Sequence, residues 1–198
     1  MRKDVMVDIE TLGTDVDSTI FQISAVSFDI KSGHIYDTFN EITDISKNET
    51  DLKVTGDTLQ WWLKTNASLL TELLTGGVES SEEVLRRFHR WLTGLTENAK
   101  DMYLWGNGIL FDNAMIKHQF ESIGLSYPIF FRNDRDVRTI LELASTKLGK
   151  HPNDVRKEVY DGELVAHDAF NDVRNQVKLV SYCHEVLTVT GNSSEVST

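Results

Sequence analysis

Four acids and one histidine carry the chemistry that can be read from this chain: Asp8, Glu10, Asp112, Asp172 and His167. Asp8 and Glu10 lie in Val5-Met6-Val7-Asp8-Ile9-Glu10-Thr11, an apolar run that reads as a buried strand. Strand side chains alternate between faces, so residues two apart point the same way. Two carboxylates side by side at the end of a core strand repel each other. A divalent cation between them is the simplest relief. Asp112 and Asp172 also fall on segments that read as ordered. An all-oxygen set suits a hard ion such as Mg²⁺ or Mn²⁺. An imidazole at its edge is a residue type suited to taking a proton from water.

The elements that must position these groups follow from periodicity and punctuation. Val5–Ile9, Ile20–Ile30 and His34–Asn40 read as strands, with Lys31-Ser32-Gly33 turning the second into the third. Residues 41–57 read as a loop, and Thr58–Lys64 as a helix that Ala67–Leu74 continues until Gly76-Gly77. Ser80 and Glu83 make a capping box for a helix with Val84, Leu85, Phe88, Trp91, Leu92 and Leu95 on one face. Met102–Trp105 reads as a buried strand, Asp112–Ile123 as a helix and Ile129–Phe131 as an edge strand beside Pro128. Asp136 caps a helix through Leu148, and Ala169–Leu187 is the last long helix, capped by Asp168. An antiparallel hairpin joined to parallel crossovers gives an α/β mixed sheet with helices on both faces. The ribonuclease-H-like fold has this order.

Composition bounds the reading. The 198 residues suffice for one domain, expected over 1–190, with 191–198 as a frayed tail. Lys plus Arg is 20 against 31 Asp plus Glu, a formal charge of −11. That disfavours a general duplex binder but not a nuclease that grips a strand end through metals. Cys183 is the only cysteine, so no internal disulfide forms; it reads as core packing in a cytoplasmic protein. No apolar run reaches membrane-spanning length, and Asp4 and Asp8 interrupt any signal-peptide pattern.

Three motifs, in order, resemble those of the DEDDh 3′→5′ exonucleases, the superfamily of the polymerase proofreading subunit. They are Asp8-Ile9-Glu10-Thr11, Phe111-Asp112 at a strand–helix junction, and His167-Asp168-Ala169-Phe170-Asn171-Asp172. The likeness spans residues 5–178. Leu59-Gln60-Trp61-Trp62, Trp105-Gly106-Asn107-Gly108, Asn133–Thr139 and Val165–Asp168 resemble a phage and prophage branch that includes exonuclease A and exoribonuclease relatives. The resemblance implies a phosphodiesterase with two divalent cations, Mg²⁺ or Mn²⁺, about 3.5–4 Å apart. Asp8 would bridge them, Glu10 and Asp172 would complete the site that activates water, Asp112 would help hold the second, and His167 would be the general base. Thr11, Leu12, Trp62, Asn107 and Arg135 are the expected substrate contacts, with Arg138 structural and one of Trp61 and Trp62 buried. The expected partners are 3′ ends of single-stranded DNA, with RNA as the alternative polymer, in the cytoplasm of a bacterium or phage host. A homodimer is compatible with the sequence. One departure stands out: proofreading enzymes place Asn four residues before the second-motif Asp, where this chain has Gly108.

Each residue also has a plainer reading. Asp112 could simply favour a helix start through the dipole, and Asp172 could face solvent. His34, His89, His118, His151 and His184 have no partner spacing and read as surface or packing residues. A silent nucleic-acid-binding module is the rival of a different class, but no member of the acid–histidine set is missing.

Overall fold

The computed structural model describes residues 2–49 and 53–189; the tail expected at 191–198 lies outside them. Five strands form one sheet: β1 (Lys3–Thr11), β2 (Ile20–Phe28), β3 (Ile35–Ile42), β4 (Met102–Gly106) and β5 (Asp134–Asp136), in the order β3-β2-β1-β4-β5. β1, β2 and β3 pair antiparallel, while β4 runs parallel to β1 and β5 parallel to β4. The helices are α1 (Gly56–Gly76), α2 (Ser81–Gly94), α3 (Asp112–Ser122), α4 (Val137–Leu148), α5 (Pro152–Val159) and α6 (Ala169–Thr188).

The alternation of β1 decides where everything else goes. Val5, Val7 and Ile9 enter a core with Phe88 and Leu92 of α2 and Met115, Ile116 and Phe120 of α3. Met6 enters the opposite core, with Val137 and Leu141 of α4, Val155 of α5, and Val173, Val177 and Cys183 of α6. Asp8 and Glu10 continue the Met6 face beyond that core, towards the start of α6. A third cluster, of Leu12, Phe21, Trp62, Leu69, Leu70 and Leu73, seats α1 over the carboxyl end of β1. α1 is kinked at Asn66 (φ −158°, ψ 77°), whose Oδ1 accepts the Leu69 N–H at 3.0 Å and restarts the helix.

The caps hold as read. Ser80 accepts the Glu83 N–H, Asp136 the Thr139 N–H, and Asp168 the Phe170 and Asn171 N–H groups. Two elements differ. The edge strand is not Ile129–Phe131 but the polar Asp134–Asp136. Its three-residue pairing is too short for alternation to show, and side chains fasten it. Asn113 Nδ2 donates to Asp134 Oδ1 at 2.7 Å, and Tyr127 Oη does so at 2.7 Å. The second is α5, which sequence periodicity missed because Val155 is its only buried residue. Pro152 at its first turn after the His151 cap is the signal that marks it. No helix is long and apolar enough to cross a membrane among the described residues.

One tether fixes the start of α6 against the sheet. Gln22, 1% exposed, pairs opposite Glu10 in β2, and its Oε1 accepts the Ala169 N–H at 3.2 Å. Gln22→Ala leaves that buried donor unsatisfied. It should lower the unfolding free energy by about 1–3 kcal/mol, read by urea denaturation. Unchanged stability would show that the tether is not needed.

Candidate active site

Asp8, Glu10, Asp112, His167 and Asp172 all line one cleft of about 350 Å³ at the carboxyl ends of β1 and β4. The carboxylates of Asp8, Glu10 and Asp172 bring oxygens within 4.8 Å of one another. Asp112 opens α3 just past β4. Gly106 permits that closeness, because a Cβ there would collide with the Asn113 side chain and crowd that of Asp112. Asn113 Nδ2 also donates to the Leu104 carbonyl at 3.2 Å, which pins the start of the helix to the strand. Asp172 lies in the first turn of α6. Gln176, one turn further along, donates from Nε2 to Asp8 Oδ1 at 2.8 Å, joining the last helix to the first strand.

These acids sit in a field that opposes their charge. Loss of solvation raises Glu10 and Asp8 well above the ordinary carboxylate range, and neighbouring acids add to it. Asp112 is pushed up to about 7 by burial, against the pull of backbone N–H groups from Ile9, Asp112 and Asn107 and of the Arg138 charge. Asp172 is raised too, chiefly by desolvation, while the His167 N–H holds it down. Among the described residues none of the four is ion-paired with Lys or Arg. Asp4 shows the contrasting solution. It is buried as well, but takes two 2.7 Å bonds from Arg2 and one of 2.8 Å from Trp105. A set of hard oxygen donors without a cation fits a divalent ion.

His167 lies on the loop before α6, as its spacing to Asp172 required. Its φ of 65° is the only positive value at a non-glycine among the described residues. Such a conformation costs of order 1–3 kcal/mol and must be held by its surroundings. Its N–H donates to Asp172 Oδ2 at 3.0 Å, and its ring meets the edge of Trp61 at 4.8 Å. Trp61 in turn packs edge-on against Trp62 at 5.2 Å, and Trp62 Nε1 donates to the Thr11 carbonyl at 3.1 Å.

A second hollow of about 470 Å³ adjoins the acids. Ile9, Glu10 and Phe111 line both, and Thr11, Trp61 and Trp62 complete its wall. The expected substrate contacts divide as follows. Thr11 and Asn107 line the hollow and the cleft respectively. Trp62 reaches the wall but is 1% exposed with its N–H occupied, whereas Trp61 is 42% exposed. Leu12 is 3% exposed and belongs to the core under α1, so it does not reach the surface as expected. Arg135 lines neither: its Nη1 donates to the carbonyls of Arg132 and Asp134, and its guanidinium lies 4.7 Å from the Tyr103 ring. Arg138, expected to be structural, is the one that lines the cleft. Its guanidinium lies against Gly108, whose φ of 130° accounts for glycine at that departure from the resemblance. Gln176, Arg156 and Tyr160 also line the cleft and were missed. Gln176 was findable four residues after Asp172 on one helix face; Arg156 was hidden with α5.

The sequence belongs to a known family. Residues 3–184 match the profile described as the 3′-5′ exoribonuclease Rv2179c-like domain. The chain is therefore a member of that family. Comparison with curated proteins gives no significant match. Among solved structures, cell-death related nuclease 4 (CRN-4) is similar at 17% identity and a TM-score of 0.66, over 92% of this chain and 64% of that one. The nuclease domain of 3′hExo, a DEDDh family member bound to rAMP, aligns at 16% identity and TM-score 0.60 over 92% of each chain. A zinc-bound complex of E. coli exonuclease I with single-stranded DNA aligns at 16% identity and TM-score 0.66, over 91% of this chain and 40% of that one. The chain thus spans less than two thirds of CRN-4 and of exonuclease I. These likenesses establish the ribonuclease-H-like fold.

The unpaired acids have a measurable consequence. A carboxyl whose folded pKa is raised binds its proton more tightly in the folded state. Its contribution is most favourable below the unfolded value of about 4 and is lost as pH rises through the folded value. With chelator present, Tm should therefore fall from about pH 4 towards about 7, the value for Asp112. Asp8→Asn should raise Tm at neutral pH and make that fall shallower, while keeping the Gln176 bond. A variant whose Tm tracks the wild type across this range would show that the acids do not repel.

Proposed function

We propose that this chain is a divalent-metal-dependent exonuclease that removes nucleoside 5′-monophosphates from the 3′ end of single strands, with RNA as its preferred polymer. The convergence of Asp8, Glu10 and Asp172 within 4.8 Å, none of them ion-paired with Lys or Arg among the described residues, carries the reading. Asp8, Glu10 and Asp172 would hold one ion and Asp112 with Asp8 a second. Bound there, divalent ions supply positive charge to the phosphate oxygens and the leaving oxygen. His167 takes the proton of the attacking water on a ring nitrogen. The hollow walled by Ile9, Thr11, Trp61, Trp62 and Phe111 receives the terminal nucleoside, with Trp61 offering the exposed aromatic surface. The preference for RNA is supported by the family description; the sequence motifs that resemble a phage exonuclease A branch are what would favour DNA.

Incubation of 5′-labelled single-stranded RNA and DNA with Mg²⁺, Mn²⁺ or chelator tests this. Stepwise shortening from the 3′ end is expected, faster on RNA, absent with chelator and absent in Asp8→Asn. Cutting of circular strands, or stepwise loss from the 5′ end, would overturn it. His167→Ala should lower kcat about 10²–10⁴-fold with a much smaller change in KM, because a general base acts in the transition state. The opposite split, a raised KM at normal kcat, would make His167 a contact residue.

A further inference from the structure

We propose that Arg138 and Arg156 form a phosphate subsite for the second linkage from the 3′ end of the strand. This rests on the exonuclease reading and assigns the residues that grip the strand behind the scissile bond. Both arginines line the acidic cleft, and neither lines the hollow where the terminal nucleoside sits. The hollow and the cleft share Ile9, Glu10 and Phe111. A strand with its last nucleoside in the hollow and its last phosphate at the acids therefore continues towards the arginines. The next anion it presents is the second phosphodiester.

The two guanidiniums are placed for a ligand rather than for the fold. Among the described residues neither is ion-paired with any carboxylate, although four acids line the same cleft. Among the described residues the Arg156 side chain makes one bond, from Nη2 to Asn107 Oδ1 at 3.3 Å, and its Nε is shielded from solvent without a partner. A shielded charged donor without an acceptor costs stability that an incoming phosphate oxygen would restore. Arg138 is the second residue of α4, where a cation opposes the helix dipole. Room for it is made at Gly108, where an added Cβ would stand 3.2 Å from the Arg138 Cζ and Nη2. Guanidinium forks match phosphate oxygens in geometry as well as charge.

The test uses two single-stranded oligonucleotides that differ only in the second linkage from the 3′ end. It is a phosphodiester in one and a neutral methylphosphonate in the other, with a 2′-deoxy sugar on its 5′ side in both. Removal of the terminal nucleotide alone is measured as kcat/KM. The wild type should be about tenfold slower on the neutral strand, the factor expected for a lost charged hydrogen bond. Arg138→Gln and Arg156→Gln should each lose about tenfold on the charged strand and several-fold less on the neutral one. Equal losses on both strands would overturn the subsite and make the arginines partners of the acids or of the fold. A wild type indifferent to the neutral linkage would overturn it without any variant. Failure of the wild type to shorten either strand would instead overturn the exonuclease reading, and the subsite with it.

Discussion

The mutual repulsion of carboxylates held out of water is the constraint on which this structure turns. Three different restraints place Asp8, Glu10, Asp112 and Asp172, and each acid is held where its charge is disfavoured. Alternation in β1 fixes the first two. The close approach allowed by Gly106 fixes the third, and the tether of α6 to Gln22 fixes the fourth. The fold offsets this cost mainly with dipoles: backbone N–H groups at Asp112, helped there by the Arg138 charge, the Gln176 amide at Asp8 and the His167 N–H at Asp172. Neutral donors soften the repulsion without cancelling it, so the site keeps its appetite for positive charge.

The rest of the cleft is graded around that centre. The adjoining hollow has an apolar and aromatic wall, while the acidic cleft itself holds two guanidiniums. A protein with net charge −11 can hold a polyanion if its few relevant cations are local. The aromatic pair links the two functions. Trp62 is locked to the strand that bears the acids, and Trp61 rests between it and the His167 ring.

Much of this was legible in the sequence because short-range rules set it. A period of two put Asp8 and Glu10 on one face. The caps at Ser80, Asp136 and Asp168 marked three helix starts, and the gap between His167 and Asp172 required the histidine to precede its helix. What escaped depended on contacts distant in sequence. Nothing local distinguishes Arg135 from Arg138; the first is drawn to Tyr103 across the sheet edge and the second into the cleft beside Gly108. Leu12 stands one residue past Thr11 and so faces the α1 core instead of the surface. Only one residue of α5 is buried, which leaves its helical period almost silent.

The hydrogen bond from Gln176 to Asp8 spans 168 positions of the chain. Its two ends lie on the first strand and the last helix of the described residues, so Asp8 is synthesised 168 residues before the amide that orients it. A ribosome-bound chain that has not yet released α6 carries Asp8 and Glu10 but lacks Asp172, His167 and the amide that orients Asp8. Contacts this distant also form late in folding, because loop closure must precede them. A product cut short before α6 therefore lacks the assembled acid cluster, and docking of that helix on β1 is the step that completes it.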